Sequence, residues 1–116
     1  MITGIGTDIV EIARIRKACM KQAFLREYFS ERENELFAAK RDYAPSAAAN
    51  FAAKEAFVKA LGTGFSGGIA LKDIEVLRDQ VGKPYIVFGR EDWNQKIHVS
   101  LSHTEAYATA FVVIEE

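Results

Sequence analysis

Cysteine occurs once, at Cys19, and proline twice, at Pro45 and Pro84. A lone cysteine excludes an internal disulfide framework and fits a reducing compartment. At an apolar helical position its ordinary role is packing, with a nucleophilic role as the alternative. No apolar run reaches the length of about 20 residues that a membrane-spanning helix needs. The opening MITGIGTDIVEIARIR has glycines and an aspartate where a secretory leader needs an apolar stretch, so the expected location is the cytoplasm. A dominant charge is also missing. The formal net charge of −1 gives no global pull toward nucleic acid or membrane, so any electrostatic partner must be sought in local patches. Repeats, low-complexity tracts and linkers are absent too, and residues 1–116 are expected to form a single domain.

A chain of 116 residues with 49% hydrophobic and 27% charged side chains can build one ordinary globular core. Residues 2–10 have the β-formers Ile5, Ile9 and Val10, with Gly4 and Gly6 suggesting close backbone approach. A helical period follows over 11–26, with Ile12, Ile15 and Cys19 on one side and Arg14, Lys17 and Lys21 on the other. Ser30 to Glu33 has the form of a capping box and starts a helix running to about Lys40. Residues 42–46, containing Pro45, read as a break before a long alanine-rich helix that stops at Gly62. Strands are expected over 71–79, 84–88, 97–103 and 107–114, with Gly82-Lys83-Pro84 as a turn and a short helical turn over 91–95. Helices in the middle and strands at both ends predict an α+β fold, an antiparallel sheet packed with a long central helix and shorter helices.

Five features carry possible chemistry. In FAAKEAFVKALGTG, residues 51–64, a helical wheel gives an apolar arc of Phe51, Phe57, Val58 and Leu61 and an alanine arc of Ala52, Ala53, Ala56 and Ala60. Glu55 and Lys59 sit at the boundary between them, as an exposed i,i+4 ion pair or as groups facing a ligand. Asp8 shares a face with Gly4 and Gly6; it is a turn or capping aspartate, or a ligand for a hard cation such as Mg²⁺ beside phosphates. His103 ends the row Ile97, Val99, Leu101 and is either a packed histidine or a functional one; His98 lies on the opposite face, so the two histidines make no zinc site. From Arg14 to Arg26 there are five basic residues and no acidic one, a solvated face or a dock for an acidic helix. GTGFSGG, residues 62–68, is a loop after a helix or a backbone cradle for phosphate, and it matches no standard nucleotide fingerprint.

Taken together, GIGTDIVEIARIR, FAAKEAFVKALGTG, GKPY and HVSLSHT resemble, in order and spacing, the 4′-phosphopantetheinyl transferases. More narrowly, they resemble the short bacterial holo-acyl-carrier-protein synthase group. The resemblance covers essentially the whole chain. It implies transfer of 4′-phosphopantetheine from coenzyme A to a serine of an apo acyl carrier protein, in fatty acid biosynthesis, with release of adenosine 3′,5′-bisphosphate. It further implies an Mg²⁺ ion held by Asp8 and Glu55 and bound to the coenzyme A pyrophosphate, with Lys59 and His103 on the phosphates. Gly62, Gly64 and Thr104 match positions lining the coenzyme, and Pro84 one near the adenine. Arg14, Lys17 and Lys21 would meet the carrier, and the group is typically a homotrimer with active sites between subunits. The serine proton would pass by way of a water to Glu55, or to Glu35. One departure is visible: Asn50 stands where relatives commonly carry arginine.

Two other classes remain to be weighed. A non-catalytic coenzyme A or nucleotide-binding module would keep the fold without the reaction, although retention of Asp8, Glu55, Lys59 and His103 together speaks against it. A metal-dependent phosphohydrolase would consume coenzyme A with no carrier present.

Overall fold

The computed structural model describes residues 1–63 and 68–116. In chain order the elements are β1 (Ile2–Glu11), α1 (Ile12–Ala18), α2 (Gln22–Tyr28), α3 (Glu31–Ala38), α4 (Ala44–Leu61), a 3₁₀ turn (Leu71–Asp73), β2 (Ile74–Arg78), β3 (Pro84–Phe88), β4 (Lys96–His103) and β5 (Tyr107–Glu115). Among the described residues the strands form two antiparallel sheets, one of order β1-β5-β4 and one pairing β2 with β3. The α+β expectation holds.

α4 is the core of the molecule. Its first turn contains Pro45, whose fixed φ suits a helix start, so the helix begins inside the segment expected to be a break. It ends at Gly62 with φ 78°, a left-handed cap that glycine adopts without steric cost. Phe51, Phe57 and Val58 are buried on one side and Ala52, Ala53, Ala56 and Ala60 on the other, matching the two arcs read from the sequence. The alanine arc lies against β1 at backbone contact distance. A Cβ placed on Gly4 would stand 2.0 Å from the carbonyl oxygen of Ala60, and one on Gly6 2.0 Å from that of Ala56. Only glycine fits there.

A buried polar network ties α3, α4 and β2 together. Ser30 and Glu33 form the expected capping box, the Glu33 amide donating to Ser30 Oγ at 3.2 Å and the Ser30 amide to Glu33 Oε1 at 3.0 Å. The same carboxylate takes Lys54 Nζ at 2.6 Å, both side chains being fully buried. Lys54 also donates to the carbonyl of Leu71 at 2.8 Å and to that of Ile74. Asn50 Nδ2 donates to Glu33 Oε2 at 2.9 Å and to the Val76 carbonyl at 3.0 Å.

The structure departs from the sequence reading in several places. The helix expected over 11–26 is two helices, separated by a tight turn in which the Met20 and Lys21 amides bond to the Lys17 and Ala18 carbonyls. Lys21 therefore precedes α2 and does not continue the face of Arg14 and Lys17. α3 stops at Ala38, short of Lys40. The segment expected as a strand over 71–79 opens with the 3₁₀ turn, whose Leu71 carbonyl is bonded to Lys54. Residues 91–95 make turns and no helix.

Removing one partner of a buried ion pair strands the other charge, which costs about 3–5 kcal/mol. Lys54→Met is accordingly expected to lower the urea-unfolding free energy by about that much, and Lys54→Met combined with Glu33→Leu to recover much of it. A single variant as stable as the parent in urea denaturation would contradict this account.

Candidate active site

Asp8 and α4 meet because β1 runs over the alanine arc without intervening side chains. With Gly4 against Ala60 and Gly6 against Ala56, the next inward residue is Asp8, beside Glu55 and Lys59. Lys59 Nζ lies 3.1 Å from Asp8 Oδ1 and donates to the Thr7 carbonyl at 3.0 Å. The lysine thus bridges helix and strand, and pairs with Asp8 where the i,i+4 alternative would pair it with Glu55. Glu55 is half-buried. Burial pushes its carboxyl above the ordinary range, the nearby Asp8 charge pushes it further, and Lys59 and Arg14 oppose both. Among the described residues no hydrogen-bond donor is placed on Glu55. Two carboxylates within electrostatic reach of one another, one of them without a donor, are a fit for a hard divalent cation. No group of three or more metal-ligating side chains occurs among the described residues, so such an ion would complete its shell from water or substrate oxygens.

Glu55 also lines a groove of about 480 Å³ with Arg14, Phe24, Tyr28, Phe51 and Ile69 among its walls. Arg14 is the member of the basic row that reaches this groove. Lys17 and Lys21 are exposed, while Arg16, just before Lys17, is paired with Asp42 at 2.6 Å.

A second cluster lies near the start of α4. A cleft of about 470 Å³ is lined by Pro45, Ser46, Ala49, Arg78, Lys83, Pro84 and His103, among others. His103 is exposed at the end of β4, after the partly buried row Ile97, Val99, Leu101. Pro84 opens β3 opposite Arg78 of β2. Within one chain the two clusters stay apart. Asp8 is on edge strand β1 and His103 on edge strand β4, two strand spacings away, roughly 10 Å. Along α4, Ser46 and Ala49 precede Glu55 and Lys59 by roughly 9–20 Å of helix axis.

The remaining candidates are placed as follows. Gly62 caps α4 with nothing within 4 Å of a would-be Cβ, so its conformation, not crowding, calls for glycine. Gly64 lies outside the described residues. Thr104 shapes the β4–β5 turn, its hydroxyl oxygen accepting from the Ala106 amide at 3.2 Å and the Tyr107 amide at 3.1 Å. Glu35 is exposed on α3 near Arg32, outside the groove that contains Glu55. Cys19 is buried and its thiol is pushed up to about 11 by burial, which leaves it a packing residue. Sequence reasoning missed Arg78 and Lys83. Alternation offered a signal: Arg78 ends the buried row Ile74, Val76, much as His103 ends its own row.

The raised carboxyl has a consequence for the ion-free protein. A Glu whose folded pKa lies above its unfolded value destabilises the fold once pH rises through that folded value. Glu55→Gln is therefore expected to raise the Tm of chelator-treated protein at neutral pH, with the difference vanishing below the ordinary carboxylate range near 4.5. Thermal melts at several pH values test this; a neutral or lowered Tm at pH 7 would count against it.

The family model for the 4′-phosphopantetheinyl transferase superfamily matches residues 4–112. A holo-[acyl-carrier-protein] synthase of Clostridium botulinum (strain Eklund 17B) is 47% identical over 99% of this chain and 98% of its own length. The enzyme of that name from Treponema denticola is 46% identical over 99% of both chains. Among solved structures, a holo-(acyl-carrier-protein) synthase from Bacillus anthracis in complex with CoA (3′,5′-ADP) superposes with a TM-score of 0.87 at 38% identity, covering 100% of this chain and 98% of that one. The Helicobacter pylori enzyme in complex with coenzyme A does so with a TM-score of 0.83 at 36% identity, covering 96% and 99%. Matched by the family model over residues 4–112 and by relatives 46–47% identical along 99% of its length, the chain belongs to the 4′-phosphopantetheinyl transferase superfamily.

Proposed function

We propose that the protein is a holo-acyl-carrier-protein synthase, a single domain that moves 4′-phosphopantetheine from coenzyme A to a serine of an apo acyl carrier protein in fatty acid biosynthesis. The observation that carries this reading is the meeting of Asp8, Glu55 and Lys59 at the rim of an open groove. Asp8 and Glu55 would hold Mg²⁺, which supplies charge stabilisation on the diphosphate of coenzyme A as the phosphorus–oxygen bond breaks. Lys59, anchored by Asp8 and the Thr7 carbonyl, presents an ammonium group to the same phosphates. His103 belongs to the coenzyme side of the site, with Pro84 near the adenine; Gly62, Gly64 and Thr104 would line the approach. The serine hydroxyl attacks the phosphorus nearer the pantetheine arm, and adenosine 3′,5′-bisphosphate departs. The serine proton would pass by way of a water to Glu55, or to Glu35, which lies outside this groove within one chain.

The carrier would arrive over Arg14 and Lys17, with Lys21 at the start of α2. Acidic helices approach such a surface faster at low salt, and the attraction weakens as salt rises. No helix among the described residues is long and apolar enough to cross a membrane, and the reaction's substrates fit a cytoplasmic location.

We read the active form as a homotrimer with sites between subunits. The outer face of the β1-β5-β4 sheet supports this, for it exposes Ile5 and Ile9 at 61% each and Phe111 at 48%. Apolar side chains aligned on one sheet face mark an interaction surface, here suited to a second copy of the chain. The separation of His103 from Asp8 and Glu55 supports it as well, since a neighbour's β4 edge would supply what one chain holds out of reach.

Two experiments test these readings. Incubated with coenzyme A, Mg²⁺ and an apo carrier, the protein should add one phosphopantetheine mass to the carrier; chelation or Glu55→Gln should reduce the rate by at least about 100-fold, as loss of a charge-stabilising group at a transferring phosphate does. No mass gain would favour a non-catalytic binding module, and coenzyme A consumed without carrier would favour a phosphohydrolase. Separately, Asp8→Asn and His103→Ala, each inactive alone, should regain up to about a quarter of parental turnover when dissociated and reassembled together, the share of interfaces joining two intact edges. Failure to regain any activity in mixed assemblies shown by native mass spectrometry would sink the shared site.

A further inference from the structure

A cavity of about 820 Å³ lies between α2, α3 and the 3₁₀ turn, and none of Asp8, Glu55, Lys59 or His103 lines it. Its volume falls in the range of about 300–1,000 Å³ typical of small-molecule sites. The floor is a row of three rings. Phe29 meets Phe37 edge-on at 5.1 Å between centroids, and Phe37 stacks on Tyr43 at 5.5 Å. Polar groups set among these rings already have partners inside the fold. Ser30 Oγ donates to Glu75 at 2.7 Å, Asn34 Nδ2 to the carbonyls of Leu25 at 3.2 Å and Ser30 at 3.1 Å, and the Tyr43 hydroxyl to the Cys19 carbonyl at 3.4 Å. The rim is charged. Arg26 and Lys72 are exposed there, neither with a carboxylate within ion-pair distance among the described residues. Two carboxylates also line the cavity, and the fold offsets both. Asp73 lies close enough to the buried Lys54 ammonium to favour its charged form, and Glu31 stands in the first turn of α3, where the helix end favours negative charge. The uncompensated charges at the rim are therefore positive.

We propose that this cavity is a second binding site, which takes a linear fatty acid with its chain on the rings of Phe29, Phe37 and Tyr43 and its carboxylate against Arg26 and Lys72. The inference goes beyond the proposed transfer reaction, in which none of these side chains takes part. Burial of the chain supplies affinity in proportion to its length, and the rim supplies preference for an anionic head. Other occupants fit less well. A sugar or nucleotide needs free donors and acceptors along the floor, which the fold already uses, and a cationic amphiphile would meet Arg26 and Lys72. The occupant is a free fatty acid and not an acyl chain tethered to coenzyme A or a carrier, because α2 separates the cavity from the groove beside Glu55. Gln22, Leu25, Arg26 and Phe29 follow one helical face toward the cavity, while Phe24, Glu27 and Tyr28 follow another toward the groove.

Calorimetric titration of the protein with dodecanoate below its micelle concentration, without coenzyme A or carrier, tests this. One equivalent should bind saturably. Octanoate should bind at least about 10-fold more weakly, since each buried methylene contributes about 4-fold. Dodecyltrimethylammonium, with the same chain and the opposite head, should also bind at least about 10-fold more weakly. Arg26→Ala combined with Lys72→Ala should weaken dodecanoate by about 10-fold, the low end for a charge-assisted contact because the rim is exposed. Ala38→Trp, at an exposed position lining the cavity, should abolish binding, and Ile69→Ala, in the groove beside Glu55, should leave it unchanged. No saturable binding of dodecanoate, or equal affinity for the cationic amphiphile, would overturn the assignment. So would binding that survives Ala38→Trp and is lost in Ile69→Ala, which would move the ligand to the groove.

Discussion

The contact between the backbone of β1 and the alanine arc of α4 governs the rest of the architecture. A helix and a strand normally keep their axes apart by a layer of side chains. Here Gly4 and Gly6 contribute none, and the carbonyls of Ala60 and Ala56 occupy the space where their Cβ atoms would be. The strand therefore sinks toward the helix, and the next inward residue, Asp8, arrives at the level of Glu55 and Lys59. A larger residue at either glycine would lift β1 away, and Asp8 would lose its 3.1 Å contact with Lys59. Packing of the smallest residues thus sets the geometry of the most polar part of the molecule.

Two adjacent residues of α4 show how one turn of a helix divides structural from chemical charge. Lys54 points inward and is fully satisfied by Glu33 and two carbonyls. Glu55, about 100° around the helix, stands half-buried at the groove with a like charge nearby and no donor among the described residues. The first arrangement locks α3 and β2 to α4. The second sets two carboxylates in electrostatic tension that a cation would relieve. The lock serves the tension, because Lys54 holds the segment from Leu71 to Ile74, and Leu71 forms part of the wall of the groove beside Glu55.

Legibility in the sequence followed the range of each interaction. The capping box of Ser30 and Glu33 and the glycine stop at Gly62 are local and were readable, as was the inward face of Gly4, Gly6 and Asp8. The break at Cys19 to Lys21 was not, because no glycine or proline marks it and the apolar period continues across it. The second use of Glu33 was hidden for a different reason: Lys54 lies 21 residues away, and a lysine inside an alanine-rich helix carries no mark of burial. Division of the strands into two sheets is likewise a matter of non-local pairing. For the candidate site, motif order suggested which residues belong together, and the backbone then brought Asp8 to Glu55. Arg78 escaped notice because its meaning depends on Asn50, on another element. Asn50 and Arg78 become intelligible only as a pair: the asparagine side chain stays buried and holds an arginine that lines the cleft from β2.

The distribution of the two clusters constrains how copies of the chain could assemble. Under the coenzyme A reading, both clusters must come within the span of one ligand molecule. A twofold contact pairs one surface patch with itself, so it brings unlike edges together only where both edges lie within that single patch. A head-to-tail contact joins unlike edges, setting Asp8 and Glu55 of one copy against Arg78, Lys83 and His103 of the next. Such contacts continue until they close into a ring or extend as a filament. Ile5, Ile9 and Phe111, exposed on one sheet face between the two edges, provide apolar surface that a closed ring removes from water and a filament end leaves bare. In such an assembly, closure would be favoured by the same face that brings the unlike edges together.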